Sequence, residues 1–95
     1  MNSTTADHSI PEDRQKALRK MRALHEQIRM QMNTLSKKSH KSARKKRKKL
    51  KKSRGRMKQA FYEVTLADPH KWEKIRPRIV RTYEKATRTL EKAQA

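Results

Sequence analysis

The sequence predicts an all-α protein with two to three amphipathic or basic helices, arranged as an extended hairpin or a small bundle. Three observations support this fold class. Apolar side chains recur every three or four residues along much of the chain, the period-two alternation typical of strands is missing, and the 95 residues include one glycine and three prolines. A chain of this length forms one small domain at most.

The first predicted helix lies within residues 9–36, behind a small, polar tail at residues 1–8 that we expect to be disordered. Ser9 and Glu12 have the spacing of a capping box, and Pro11 would fall in the first turn, where its missing N–H costs nothing. An amphipathic helix is predicted from about residue 11 to 35, with an apolar stripe on one face. Its spacing is typical of a coiled-coil heptad seam, although it covers fewer than three heptads. Its members are Leu18, Met21, Leu24, Ile28, Met32 and Leu35.

A second helix is predicted from about residue 42 to 66. Serine and threonine residues weaken helix formation before it, so we expect a break within residues 35–42. Gly55 is a weak point inside this helix, costing about 1 kcal/mol relative to alanine. The apolar face of the helix consists of Leu50, Met57, Phe61 and Val64.

The third helix is predicted to begin with Asp68 as N-cap and Pro69 as its first residue. Pro77 lies inside the apolar pattern that follows, which predicts a kink or a fresh helix start. Residues 59–95 would therefore form a helical hairpin with a bent C-terminal helix. We expect the hairpin to pack around Phe61, Val64, Leu66, Trp72, Ile75 and Ile79.

The segment 37–58 carries fourteen lysine or arginine residues in twenty-two positions and no acidic residue, which is +14 of the formal net charge of +19. So dense a positive charge is typical of proteins that bind a phosphate backbone. Lysines outnumber arginines ten to four, which favours phosphate contact over base reading. The predicted nucleic-acid-binding residues are Lys37, Lys38, Lys41, Arg44, Lys45, Lys46, Arg47, Lys48, Lys49, Lys51, Lys52, Arg54, Arg56 and Lys58.

Two features of the sequence predict that folding depends on a partner. Like-charged pairs four residues apart disfavour an isolated helix over 37–58, so we expect this segment to be loosely structured when free and helical when bound. Leucine, isoleucine, valine and phenylalanine total thirteen residues, a low content for a chain that folds alone. The apolar stripe of the first helix, from Leu18 to Leu35, is a candidate surface for a homo-oligomer or a helical protein partner.

A second group of residues could extend the basic surface. Cations recur at helical spacing in the third helix, although a solvated face with intrahelical ion pairs explains them equally well. Tyr62 lies off the apolar stripe beside the basic segment and is the best candidate for stacking on a base. These secondary residues are Tyr62, Arg78, Arg81, Lys85 and Arg88.

Several classes of function are disfavoured by what the sequence lacks. It has no cysteine, its four histidines are at least fifteen residues apart, and one glycine cannot form a phosphate loop. We therefore expect no metal, no cofactor and no enzymatic activity. No apolar run is long enough to span a membrane, and no secretory signal is apparent.

These observations predict a non-enzymatic protein that binds the phosphate backbone of RNA or DNA with little sequence specificity. A ribonucleoprotein, ribosome-like or genome-packaging component fits this description. The alternative is a protein–protein adaptor whose first helix docks on a partner, with the basic segment acting as an anchor or a nuclear or nucleolar address. We expect an intracellular, nucleic-acid-associated location, in the cytoplasm or nucleoid, or in the nucleus of a eukaryote.

Overall fold

The computed structural model describes residues 10–95 and contains three helices: α1 (Arg14–Ser36), α2 (Lys41–Leu66) and α3 (Pro69–Gln94). They account for 87% of the described residues, and no strand occurs among those residues. The all-α prediction is therefore confirmed. The predicted tail at residues 1–8 and the Ser9 cap lie outside the described residues.

The helix starts follow local capping chemistry. The Asp13 carboxylate accepts hydrogen bonds from the amides of Gln15 and Lys16, at 2.8 and 3.1 Å, and this cap fixes the start of α1. The predicted start near residue 11 is wrong, because Asp13 supplies the cap. The prediction for α3 is confirmed: the Asp68 carboxylate accepts from the Lys71 amide at 2.7 Å, and Pro69 is the first helical residue.

Two short connections make the helices antiparallel neighbours. Residues 37–40 join α1 to α2, within the break predicted at 35–42, and residues 67–68 join α2 to α3. Connections this short reverse the chain direction, so the bundle runs up, down and up. α2 packs against both other helices, and α1 and α3 contact each other less extensively.

Long side chains tie the ends of the bundle together. The Arg14 guanidinium donates to the carbonyls of Val64 and Thr65, both at 3.1 Å, and so satisfies the exposed C-terminal end of α2. The Trp72 indole donates to the Glu12 carbonyl at 2.7 Å, which places the start of α3 beside the start of α1. At the opposite end, the Gln31 amide donates to the Ala93 carbonyl at 3.1 Å.

The core is formed where the apolar stripes of the three helices meet. The stripe of α1 is part of it: Met21, Leu24, Ile28 and Leu35 are buried, and Leu18 and Met32 pack against them. The expectation that this stripe binds a second copy or a helical partner is therefore wrong for the folded chain, because α2 and α3 cover it. The buried residues of α2 alternate between large and small side chains, which lets the helices approach closely: Ala43, Leu50, Ser53, Met57, Ala60 and Val64.

Two details of the predicted hairpin need correction. Leu66 is 82% exposed and does not join the core. Two residues rotate the helix by about 200°, so Leu66 points away from the side that buries Val64. Of the two effects predicted for Pro77, the fresh start does not occur, because α3 is a single helix from Pro69 to Gln94, and the kink stays a prediction. The Pro77 ring lies on the exposed side of α3, where the interrupted helical hydrogen bond faces solvent.

Candidate nucleic-acid interface

The basic segment lies on the solvent-facing sides of α2 and the connection before it. Twelve of its fourteen cations are exposed, and Lys46 and Arg54 are partly buried. The reason is the spacing of the buried stripe, which falls on Ala43, Leu50, Ser53 and Met57 and so avoids nearly every cation. The core interactions that hold α2 in place thus leave its charged sides free.

Lys46 and Arg54 both lie toward the buried side of α2, Lys46 between Ala43 and Leu50 and Arg54 between Leu50 and Met57. Lys46 forms a contact at the end of the bundle. Its ammonium group reaches past the core and donates to the main-chain oxygen of Ala95, at 3.1 Å. The aliphatic part of a lysine side chain can cover apolar surface in this way while the charge stays near water. Lys46 therefore has a structural role at the end of the bundle.

The charge of the basic segment is not compensated within the described part of the chain. The two ion pairs seen there join Glu26 to Arg29 at 2.5 Å and Glu63 to Arg78 at 2.7 Å, and both lie outside the segment. In each pair, the hydrogen bond from arginine holds the pKa of the glutamate below its ordinary value. None of the fourteen cations forms an ion pair with a described acidic side chain, so α2 presents a strongly positive surface.

Two open depressions lie between the first two helices, and we call them together the α1–α2 furrow. The first and larger stretch has a volume of about 780 Å³, and the second stretch has a volume of about 710 Å³. Lys51 and Arg54 line both stretches. Cations from both helices line the furrow: Arg22, Arg29, Arg44, Arg47, Lys48, Lys51, Arg54 and Lys58.

The second stretch of the furrow combines aromatic rings with these cations. Tyr62 is 60% exposed there, beside the partly buried Phe61. The Arg22 guanidinium lies 5.6 Å from the centre of the Phe61 ring, which is a cation–π contact. Gly55 also lines this stretch and leaves the backbone of α2 accessible.

His25 lies in the same stretch and responds to its charge. Partial burial lowers the pKa of His25 below its ordinary value of 6.5, and the positive charge of Arg54 lowers it further, while Glu26 opposes the change. Burial, which is the larger cause, and the nearby cations therefore both favour the neutral imidazole. An anion in the furrow would oppose the effect of the cations.

A smaller pocket of about 220 Å³ lies between α2 and α3. It brings together three of the predicted secondary residues, Arg78, Arg81 and Lys85, and adds Arg56 from the basic segment. Ser53, only 5% exposed, forms part of its wall. Arg88 is exposed but lines neither this pocket nor the furrow, and Tyr62 lies in the furrow on the other side of α2.

Sequence reasoning missed the contribution of α1 to the furrow. Arg22, His25 and Arg29 were not among the candidate residues, because their helix was read only for its apolar stripe. A usable signal was present: Arg22 and Arg29 are seven residues apart and flank that stripe, the position from which a side chain reaches the groove beside a neighbouring helix.

Within residues 10–95, no three side chains of the metal-ligating types converge into a possible metal site. Among the described helices, none combines the length and apolar character needed to traverse a bilayer. Comparisons with protein-family models, with curated proteins and with solved structures each found no match to this chain.

Proposed function

We propose that this chain is a non-enzymatic nucleic-acid-binding protein that contacts the phosphate backbone through the exposed cations of α2 and the connection before it. The observation that carries the proposal is the uncompensated charge: ten exposed cations on a helix anchored in a bundle and two on the connection before it, none paired with a described acidic side chain. A component of a ribonucleoprotein or of a genome-packaging complex fits this design, in an intracellular compartment that contains nucleic acid.

The mechanism follows from the charge and from how α2 is held. Each cation that meets a phosphate releases a condensed counterion, and this release drives binding without base recognition. Repulsion between neighbouring cations disfavours α2 in isolation, but burial of Leu50, Met57 and Val64 opposes that repulsion. Bound phosphates would then stabilise the bundle as well as the complex.

We do not propose that the chain is a protein–protein adaptor. It needed the α1 stripe as a docking face, and Met21, Leu24 and Ile28 of that stripe are buried inside the bundle. No other described feature favours a helical partner over a polyanion.

Salt-dependent titration tests the proposal. Fluorescence anisotropy with labelled mixed-sequence RNA and DNA, single-stranded and duplex, is measured at several salt concentrations. If about 6–10 phosphates are contacted, log affinity falls with log salt with a slope of about −5 to −9 for a duplex and about −4 to −7 for a single strand. No measurable binding of any of these polynucleotides near physiological salt would refute the proposal.

A matched pair of variants separates the α2 surface from net charge alone. One variant reverses Lys48, Lys51 and Lys58 to glutamate, and the control reverses three exposed lysines of α3: Lys71, Lys74 and Lys92. Both variants change the net charge by the same amount. We expect the α2 variant to lose affinity far more than the control, and equal losses would contradict the assignment of the surface to α2.

A further inference from the structure

Gly55 occupies a position where the fold itself does not require glycine. It lies inside α2, it does not have a positive φ, and a Cβ atom built on it would meet nothing within 4 Å. Alanine would form a more stable helix there. Glycine inside a regular element also marks places where a ligand approaches the backbone closely, and Gly55 faces the α1–α2 furrow.

An exposed aromatic ring lies on the same side of α2. Tyr62 follows Gly55 by seven residues, two helical turns, and 60% of its surface is exposed in the same stretch of the furrow. The partly buried Phe61 supplies apolar surface between them. A flat ring beside open backbone and apolar surface is suited to a planar base, because base–aromatic stacking needs no particular base identity.

Cations surround this aromatic stretch and continue beyond it. Arg22 and Lys58 line it, and Lys51 and Arg54 also line the first stretch, together with Arg44. A strand whose base stacks on Tyr62 can therefore keep its backbone beside positive charge along the furrow. This arrangement is typical of single-strand binding: an electropositive groove for the backbone and an aromatic platform for the bases.

We propose that the α1–α2 furrow binds single-stranded nucleic acid, with phosphates on the cations and a base against Tyr62 and the backbone at Gly55. This inference rests on the proposed function and names its substrate class. A duplex fits less well because its bases are stacked on each other inside the double helix and do not reach a side chain beside a groove floor. An acidic peptide would satisfy the cations but would leave the aromatic surface unused.

The test compares probes that share charge but differ in bases. Anisotropy is measured with a labelled mixed-sequence single strand, an abasic strand of the same length, the matching duplex and a polyglutamate of equal charge. DNA and RNA versions of the single strand distinguish the two sources. We expect the base-bearing strand to bind about 5- to 150-fold tighter than the abasic strand, the range for stacking one base.

Four variants assign this difference to the furrow. Tyr62→Ala and Gly55→Ala should lose most of the preference for the base-bearing strand. Tyr62→Phe keeps the ring, and Leu66→Ala removes another exposed large side chain of α2, so both should retain the preference. Gly55→Ala should also raise the melting temperature, which separates a lost binding site from a damaged fold.

The outcomes distinguish this inference from the proposed function. The single-strand site is refuted if the abasic strand binds as tightly as the base-bearing strand, or if polyglutamate does. Phosphate binding is then judged separately, from the salt titration. If Tyr62→Ala keeps the full preference, the site is also refuted. If no polynucleotide binds, the proposed function and this inference fail together.

Discussion

Removing charge from one side of α2 should weaken binding much more than removing it from the adjacent side. Arg44, Lys48 and Lys51 are exposed and line the furrow, and a variant with glutamine at all three removes three charges from it. The control has glutamine at Lys45, Lys49 and Lys52, which have the same spacing shifted by one residue. None of these three lines the furrow.

The expected size of the effect follows from counterion release. Each phosphate contact on a single strand contributes about 0.7 to the slope of log affinity against log salt, so loss of three contacts reduces the slope by about 2. If those contacts contribute nothing at 1 M salt, the same slope change lowers affinity about 50-fold at 0.15 M salt. The control should change the slope by clearly less, because none of its three lysines lines the furrow.

The measurement is anisotropy of a labelled single strand at five or more salt concentrations for the wild type and both variants. Circular dichroism checks the fold, which should be retained because each variant removes like-charged neighbours. Equal slope changes in the two variants would show that cations on both sides of α2 contribute equally to binding. The assignment of the strand to the furrow would then be refuted.

Three further predictions concern the fold and the pH dependence of binding. Ile28→Ala should lower the free energy of unfolding by about 2–5 kcal/mol because Ile28 is fully buried. Urea denaturation measures this change, with the exposed Met30→Ala as the control. An effect of Ile28→Ala as small as that of the control would contradict the core assignment. Asp68→Ala should cost about 0.5–2 kcal/mol by removing the cap of α3, and Glu73→Ala, an exposed residue of the same helix, is the control. Burial and nearby cations lower the pKa of His25, so the imidazole binds a proton less tightly in the folded chain than in the unfolded chain. Protonation therefore favours unfolding, and the free energy of unfolding decreases as the pH falls below 6.5. A bound phosphate strand favours the protonated imidazole, so affinity should rise as the pH falls from 8 toward 5.5; His25→Gln should flatten that dependence, and an unchanged dependence would exclude His25 as its source.

The local structure of the chain was predictable where short-range chemistry decides it. Asp68 and Pro69 are a strong start signal, and the structure begins α3 there. The break before α2 also falls where serine and threonine residues weaken the helix. The predicted start of α1 is wrong because the sequence offers two capping residues, Ser9 and Asp13, and the Asp13 carboxylate accepts the amide hydrogen bonds of the first turn.

Predictions that depended on which surfaces are covered were less successful. The stripe of α1 reads equally well as a core face or as a docking face, since both need apolar residues at the same spacing. Leu66 was assigned to the core from its apolar character, although its angular position on α2 excludes it. The furrow could not be assembled from sequence, because Arg22 and Lys58 are far apart along the chain and meet only after α1 packs on α2.

The sequence alone determined that the chain is helical and where α2 and α3 start. It also determined that residues 37–58 carry a positive charge that no nearby acidic residue in the chain balances. These properties depend on residues only a few positions apart. Tertiary packing decided that the apolar stripe of α1 is buried within one chain, that Lys46 supports the end of the bundle, and that cations of two helices border one groove with Tyr62. Those outcomes depend on the rotation and register of whole helices, which burial of the shared core fixes and which short-range patterns leave open.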